Sequence, residues 1–301
     1  MRIVERHCES LPDIMVESLV RAGLQEDLGR AGDITTTTVI RPGLRTRTRF
    51  VARSAGCIAG LSLARMAFAL IDRDVRFTEV VFDGNVVKAG ETLAVVEGNA
   101  RSILMAERVA LNFLSHLSGI ATATWGVVQS VKGTKAKICC TRKTLPGFRA
   151  IQKYAVRAGG GFSHRFGLDD AVLIKDNHIA VAGGIAQVLE SIRSRIGHLV
   201  KVELEVDTLE QLEEGLACGG VDAFLLDNMP SSQLRQAVHI INGRAIAEAS
   251  GGITPLSAPE IAQTGVDILS IGWLTHSVSA LDIGLDYEGY EGLWEETVRQ
   301  A

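Results

Sequence analysis

Seven basic residues, Arg142, Lys143, Arg149, Lys153, Arg157, Arg165 and Lys175, lie within the 37 residues from Arg142 to His178. Only Asp169, Asp170 and Asp176 oppose them, a surplus of four positive charges in a chain of net charge -4. Such an island suits a small, multiply anionic ligand: arginine offers a bidentate fork to carboxylate or phosphate, and lysine a movable point charge. Arg142, Lys143 and Lys175 directly follow apolar runs, AKICCT (136–141) and AVLIK (171–175), that read as buried strands. His164, beside Arg165 and after the glycine run 159–161, is a candidate ligand contact. His178 either meets ligand or braces the loop after Lys175.

The opposite charge comes from Glu205 and Asp227, which end the runs KVELEV and AFLLD. Two carboxylates at neighbouring strand ends can hold ribose hydroxyls, or Mg²⁺ through waters. The alternative is that they only neutralise the basic cluster. Glu203 shares the face of Glu205, because strand side chains repeat every two residues; it lies deeper and is expected to pair with a strand-end lysine. Ser250-Gly251-Gly252 and Gly272 close two further runs. Backbone N–H groups in such loops bind phosphate where glycine permits close approach; two turn glycines are the alternative. Arg108, Asn112, Ser115 and Gly119 follow one another at spacings of four, three and four, and so line one face of an apolar helix. That stripe reads as a wall of a site or an interface.

These residues need elements to position them. Residues 13–29, 61–71 and 102–131 read as helices, and Thr46–Ala52 alternates as a half-buried strand does. GDITT (32–36) reads as a turn into an extended segment, and 75–97 as a hairpin with a turn at Asp83-Gly84-Asn85. After Lys135, six apolar runs alternate with helical stretches, as parallel βα units do. Asp207-Thr-Leu-Glu210 and Ser257-Ala-Pro-Glu260 look like capping boxes. Arg142, Lys175, Glu205, Asp227, Ser250 and Gly272 end those runs at spacings of 33, 30, 22, 23 and 22 residues. In an α/β barrel, such ends converge on one mouth, where catalysis occurs. The segment is too short for the ~250 residues of an eight-fold barrel. The expectation is a reduced α/β barrel of six or seven strands over 119–276, preceded by an α+β sandwich domain over 1–118, with 277–301 packing back on the first domain. A doubly wound open sheet is the alternative.

A pI near 6.0 argues against a general nucleic-acid binder. The last 17 residues hold Asp286, Glu288, Glu291, Glu295 and Glu296 against Arg299, which accounts for the whole net charge. The five cysteines show no CxxC spacing, and the adjacent Cys139 and Cys140, in an apolar run, read as opposite-facing core thiols. No signal peptide or membrane-spanning run is visible, and the cytoplasm is the expected location. Walker, Rossmann, HExxH and Gly-x-Ser-x-Gly motifs are absent from the sequence.

The segments EDLGRAGDITT (26–36), ERVALNFLSHLSGIAT (107–122), TRKTLPGFR (141–149), KYAVRAGGGFSHR (153–165), LIKDNH (173–178), VELEVDTLEQL (202–212), LLDN (225–228), ASGGI (249–253) and IGWLTHS (271–277) together resemble the quinolinate phosphoribosyltransferases. The resemblance implies transfer of phosphoribosyl from phosphoribosyl pyrophosphate to quinolinate with decarboxylation, giving nicotinate mononucleotide for NAD synthesis, with Mg²⁺ as cofactor. It implies that Arg108, Arg142, His164, Arg165 and Lys175 surround the quinolinate carboxylates and that Lys143 faces the pyrophosphate. Glu205 and Asp227 are implied at the ribose and metal, as metal ligands and with Lys143 and Lys175 as catalytic residues. Ser250, Gly251, Gly252 and Gly272 are implied at the 5′-phosphate. A homodimer is implied in which Arg108 serves the neighbouring site. The alternatives are a paralogous protein of a molybdenum-uptake cluster, or a non-catalytic barrel that binds an anionic metabolite.

Overall fold

The protein is described here from a computed structural model covering residues 8–288; the acidic residues after Glu288 lie outside the described residues. In chain order the first elements are α1 (Asp13–Leu28), α2 (Ile34–Val39), β1 (Arg45–Ala52), β2 (Gly56–Cys57), α3 (Leu61–Ile71), β3 (Arg76–Glu79), β4 (Val86–Val87), β5 (Thr92–Asn99) and α4 (Ala100–Ser130). Then come β6 (Lys137–Cys139), α5 (Arg149–Ala158), β7 (Val172–Ile174), α6 (Asp176–Ala182), α7 (Ile185–Arg193), β8 (Val202–Val206), α8 (Leu209–Cys218) and β9 (Ala223–Asp227). The last are α9 (Ser231–Ile241), β10 (Ile246–Ser250), α10 (Ala258–Ala262), β11 (Ile268–Ser270) and β12 (Ile283–Glu288). The described chain forms two compact units, one of residues 8–122, 150–159 and 278–288, the other of 123–149 and 160–277.

The first unit is built on an antiparallel sheet of order β12-β1-β5-β3. The alternation in β1 buries Thr46, Thr48 and Phe50, and Phe50 meets Phe68 and Phe77 at ring separations of 6.0 and 5.8 Å. The start of the acidic tail lies beside this sheet: Glu288 pairs with Arg47 at 3.0 Å and Arg49 at 2.6 Å, and Asp286 with Arg53. Two expectations fail locally. GDITT opens a helix, because Asp33 accepts the Thr36 N–H at 2.8 Å as an N-cap. The hairpin over 75–97 is split: β3 pairs with β5, whereas β4 pairs with β2. The Asp83 carboxylate turns inward to accept the Gly60 and Leu61 N–H groups at the start of α3, and the Tyr154 hydroxyl at 2.5 Å. Burial raises the Asp83 pKa, and those three donors oppose the rise.

Gly119 is a packing residue. A methyl there would overlap the Ser279 carbonyl oxygen and approach Ala280 Cα to 3.0 Å, and the neighbouring Ser115 carbonyl accepts the Leu281 N–H at 2.9 Å. Two of the four stripe residues on α4 therefore receive the returning chain rather than line a site. Gly119→Ala is expected to destabilise the protein by about 1–3 kcal/mol, read as a lower denaturant midpoint at unchanged slope.

The second unit contains the predicted six strands in one parallel sheet, order β6-β11-β10-β9-β8-β7, extended past β6 by a single parallel bridge from Cys139 to Phe162. Five strand spacings separate the Phe162 edge from β8, about 24 Å in a flat sheet. His164, two residues beyond that edge, nevertheless places Nε2 3.0 Å from Glu203 Oε2 of β8. The sheet is thus curled on itself as a reduced barrel, with no ladder joining β7 to the Phe162 edge among the described residues. Its core includes Ile138, Leu204, Phe224, Leu226, Ala247 and Leu269. The capping boxes differ from the sequence reading. The first is Thr208 with Gln211, one residue along, and Ser257 instead bonds back to Thr254 in a loop turn.

Candidate active site

Ladder partners share a face, and a face repeats every second residue. Ile174 pairs with Leu204, Glu205 with Leu225, Leu225 with Glu248, and Asp227 with Ser250. Ser270 pairs with Cys139, which bridges Phe162. Register alone therefore puts His164, Lys175, Glu203, Glu205, Asp227, Glu248, Ser250 and Gly272 on one face, the inside of the curl. Lys175, Glu205, Asp227, Ser250 and Gly272 stand at the carboxyl ends; Glu203 and Glu248 lie deeper.

At the carboxyl ends the candidates meet in groups. Lys175 Nζ lies 2.5 Å from Glu205 Oε2. The Lys175 backbone N–H donates to His178 Nδ1 at 2.9 Å, so His178 braces the loop. Lys143 is fixed through its carbonyl, which accepts the Thr275 hydroxyl at 2.7 Å. Its stem lies over Gly272, where a methyl would come to 2.9 Å from Lys143 Cδ. Asp227 Oδ2 accepts from Asn228 Nδ2 at 2.7 Å, and the Asn228 N–H donates to the Ser250 carbonyl at 2.9 Å. Gly251, at φ +92°, has no room for a side chain against Asn228, while Gly252, at φ +58°, faces open space. Only glycine takes both backbone conformations without strain.

Arg142 and Arg165 repel each other as like charges. Burial first, and Arg142 second, lower the Arg165 pKa. Arg165 Nη1 donates to the Ala171 carbonyl at 3.2 Å, whereas the buried Nε of Arg142 and of Arg165 each lack an acceptor. Two guanidinium groups close enough to repel each other are chemically suited to a dianion.

Deeper in the curl, His164 Nε2 lies between Glu203, at 3.0 Å, and Glu248, at 3.5 Å. The expected lysine partner of Glu203 is replaced by this histidine, because β7 sets Lys175 level with Glu205, one layer higher. Glu248, 3 % exposed, is absent from the sequence reading; a lone glutamate in RAIAEA carries no signal until register is known. Burial opposes protonation of His164, but the two carboxylates outweigh it and push its pKa up to about 10. Nδ1 lies 2.7 Å from the Arg165 backbone nitrogen. Burial is the main cause of the raised Glu203 pKa, with Glu248 adding to it and His164 opposing it. A 690 Å³ cavity reaches these three groups from the amino ends of the strands, where Lys135–Asp267 and Lys201–Asp222 form ion pairs of 2.7 and 2.5 Å.

Arg108 belongs to the other unit, exposed on α4 with Asn112. No helix among the described residues is long and apolar enough to cross a membrane.

Comparison with known proteins agrees with this architecture. The family description "Quinolinate phosphoribosyl transferase, N-terminal domain" matches residues 33–118, and its C-terminal counterpart matches 120–286. The nicotinate-nucleotide pyrophosphorylase [carboxylating] of Mycobacterium leprae is 46% identical over 272 residues, covering 89% of this chain and 95% of that one. A probable nicotinate-nucleotide pyrophosphorylase of Bacillus subtilis is 41% identical over 273 residues, 91% and 93% of the two chains. Among solved structures, NadC from Streptococcus pyogenes superposes with a TM-score of 0.89 at 37% identity, covering 93% of this chain and all of that one. Matched across both units and in fold, the chain belongs to the quinolinate phosphoribosyltransferase family.

Proposed function

We propose that the protein transfers phosphoribosyl from phosphoribosyl pyrophosphate to the ring nitrogen of quinolinate, with loss of the 2-carboxylate as CO₂. The products are nicotinate mononucleotide and pyrophosphate, in NAD biosynthesis. The relatives' names are written for either direction of this one reaction. The observation that supports the reading is that Lys175, Glu205 and Asp227 end adjoining strands of one curled sheet, with Lys175 paired to Glu205, while Arg142 and Lys143 follow β6 at the same end.

Both substrates are anions, and the cations offset their repulsion so that nitrogen can approach the anomeric carbon. Arg142 and Arg165 bind the quinolinate carboxylates through their guanidinium groups, with Lys175 as a third cation. Lys143 stabilises the departing pyrophosphate as the anomeric C–O bond breaks and its electron pair leaves with that group. Glu205 and Asp227 stabilise the positive charge that develops on ribose. Ser250, Gly251, Gly252 and Gly272 receive the 5′-phosphate on backbone N–H groups. The new C–N bond makes the ring cationic. The C2–carboxylate bond then breaks, its pair remains beside the cationic nitrogen, and a proton replaces CO₂.

Glu205 and Asp227 are hard oxygen donors and fit a Mg²⁺ that takes one or two carboxylates with water and substrate phosphate. When bound, that ion neutralises pyrophosphate. We assign the reaction to the cytoplasm, whose reducing conditions suit the buried thiols of Cys57, Cys139 and Cys140. The active form is proposed to be a homodimer in which Arg108 completes the neighbour's site.

Asp227→Asn tests the division of roles. Its affinity for phosphoribosyl pyrophosphate is expected to fall at least tenfold, the scale of one lost charge-assisted contact, with quinolinate affinity within about twofold. Calorimetry with each ligand alone measures both. Equal losses for the two ligands contradict the assignment.

A further inference from the structure

Among the described residues, Asn228 is one of two non-glycine positions with positive φ. The other, Asn242, ends α9 as a left-handed cap, a common task for asparagine. Asn228, at φ 52°, ends no helix: it follows Asp227, the last residue of β9, and stands two residues before Pro230, which opens α9. A side chain in this region of backbone space is uncommon and asks for a cause. Its contacts supply one. The backbone N–H donates to the Ser250 carbonyl of β10 at 2.9 Å, while Nδ2 donates to Asp227 Oδ2 at 2.7 Å. Oδ1 lies over Gly251, where a methyl would overlap it. One residue thus ties the carboxylate at the end of β9 to the glycine loop at the end of β10.

We infer that Asn228 is a positioning residue: it orients the Asp227 carboxylate and holds it in register with the Ser250–Gly252 loop, so that ribose and the 5′-phosphate are received as one unit. A carboxylate at a strand end turns about its last bonds. A donor on Oδ2 restricts that rotation, and this donor is itself held, because its own backbone is bonded to β10. An amide suits the place better than a cation, since it orients the carboxylate and leaves its negative charge unmatched. Gly251 is then required twice over, by its φ of +92° and by the amide that fills the space beside it. LLDN (225–228) and ASGGI (249–253), separate in the chain, are one interlocked feature.

The inference rests on the proposed reaction, which gives ribose to Asp227 and phosphate to the Ser250 loop. Asn228→Gly and Asn228→Ala are each made in the full-length wild type and in Asp227→Ala, and all are assayed for each KM. Affinities for nicotinate mononucleotide, which carries both ribose and phosphate, and for quinolinate are measured by calorimetry with a chelator present, so that no metal contributes. Melting curves confirm folding. Asn228→Gly keeps the left-handed backbone and removes only the amide. It is expected to raise the phosphoribosyl pyrophosphate KM and the nicotinate mononucleotide Kd about fivefold, the scale of one hydrogen bond, with quinolinate affinity within twofold. In Asp227→Ala the same change is expected to cost less than twofold, because the acceptor is gone. A loss in Asn228→Ala that Asn228→Gly does not share overturns the inference, because only the backbone would then matter. Equal losses in both backgrounds overturn it too, and make Asn228 a direct contact. So does a parallel loss for quinolinate, the sign of general support to the fold. If Asn228→Gly does not fold, Asn228→Ala is read in the two backgrounds in the same way, since its backbone strain is common to both. Wild type that binds nicotinate mononucleotide without turning over its substrates counts against the proposed reaction, and the comparison of backgrounds still decides the inference. Wild type that binds no nicotinate mononucleotide overturns both.

Discussion

Lys143→Ala is expected to lower kcat by ~10²–10³, the usual cost of removing one preorganised charge contact from a reacting centre. The residue follows β6 directly. Its backbone is anchored by Thr275, and its stem is laid over Gly272 at the end of β11. The ammonium is thus delivered from a fixed base, and its loss is not made good by the arginines, which the proposed reaction assigns to quinolinate. The phosphoribosyl pyrophosphate KM should change little, because the contact strengthens as charge develops on the leaving group. Steady-state kinetics on the folded variant check this, and a fall in kcat of less than about threefold removes Lys143 from the reacting centre.

The second large effect concerns Arg108. Arg108→Ala and Lys143→Ala homodimers are each expected to be nearly inactive. In a two-fold dimer that exchanges Arg108, contacts repeat by symmetry. Co-assembly of the two variants then gives one mouth both lesions and the other neither: the Arg108→Ala chain keeps its own Lys143 and receives Arg108 from its partner. Isolated heterodimers should recover one of two sites, a large gain over either parent. Heterodimers as inactive as the parents, with both variants folded, would show that Arg108 acts within its own chain.

The strand ends were legible in the sequence because apolar runs closed by a charge or glycine at spacings near 22 residues have few other causes. Lys175, Glu205, Asp227 and Ser250 accordingly fall at the ends of adjoining strands. What escaped depends on depth and on register across the sheet. Glu203 could be put on the face of Glu205, yet its partner comes from a segment 39 residues earlier in the chain, and spacing says nothing about that. Glu248 has neighbours no different from those of a surface glutamate. Asp83 reads as a turn residue, but its carboxylate serves the start of α3. The small residues of the α4 stripe were correctly seen to share a face, but Gly119 and Ser115 meet the returning chain, a contact that only tertiary structure reveals. The acidic tail had no reading until β12 set Asp286 and Glu288 against the arginines of β1.

The central claim is that one site both forms the glycosidic bond and releases the carboxylate next to it. Quinolinate labelled in its 2-carboxylate, incubated with the protein, Mg²⁺ and phosphoribosyl pyrophosphate, tests both events together. The account predicts labelled CO₂ and nicotinate mononucleotide in equal amounts, with neither formed when phosphoribosyl pyrophosphate is omitted. Binding of both substrates without product, or label released in the absence of phosphoribosyl pyrophosphate, would contradict it.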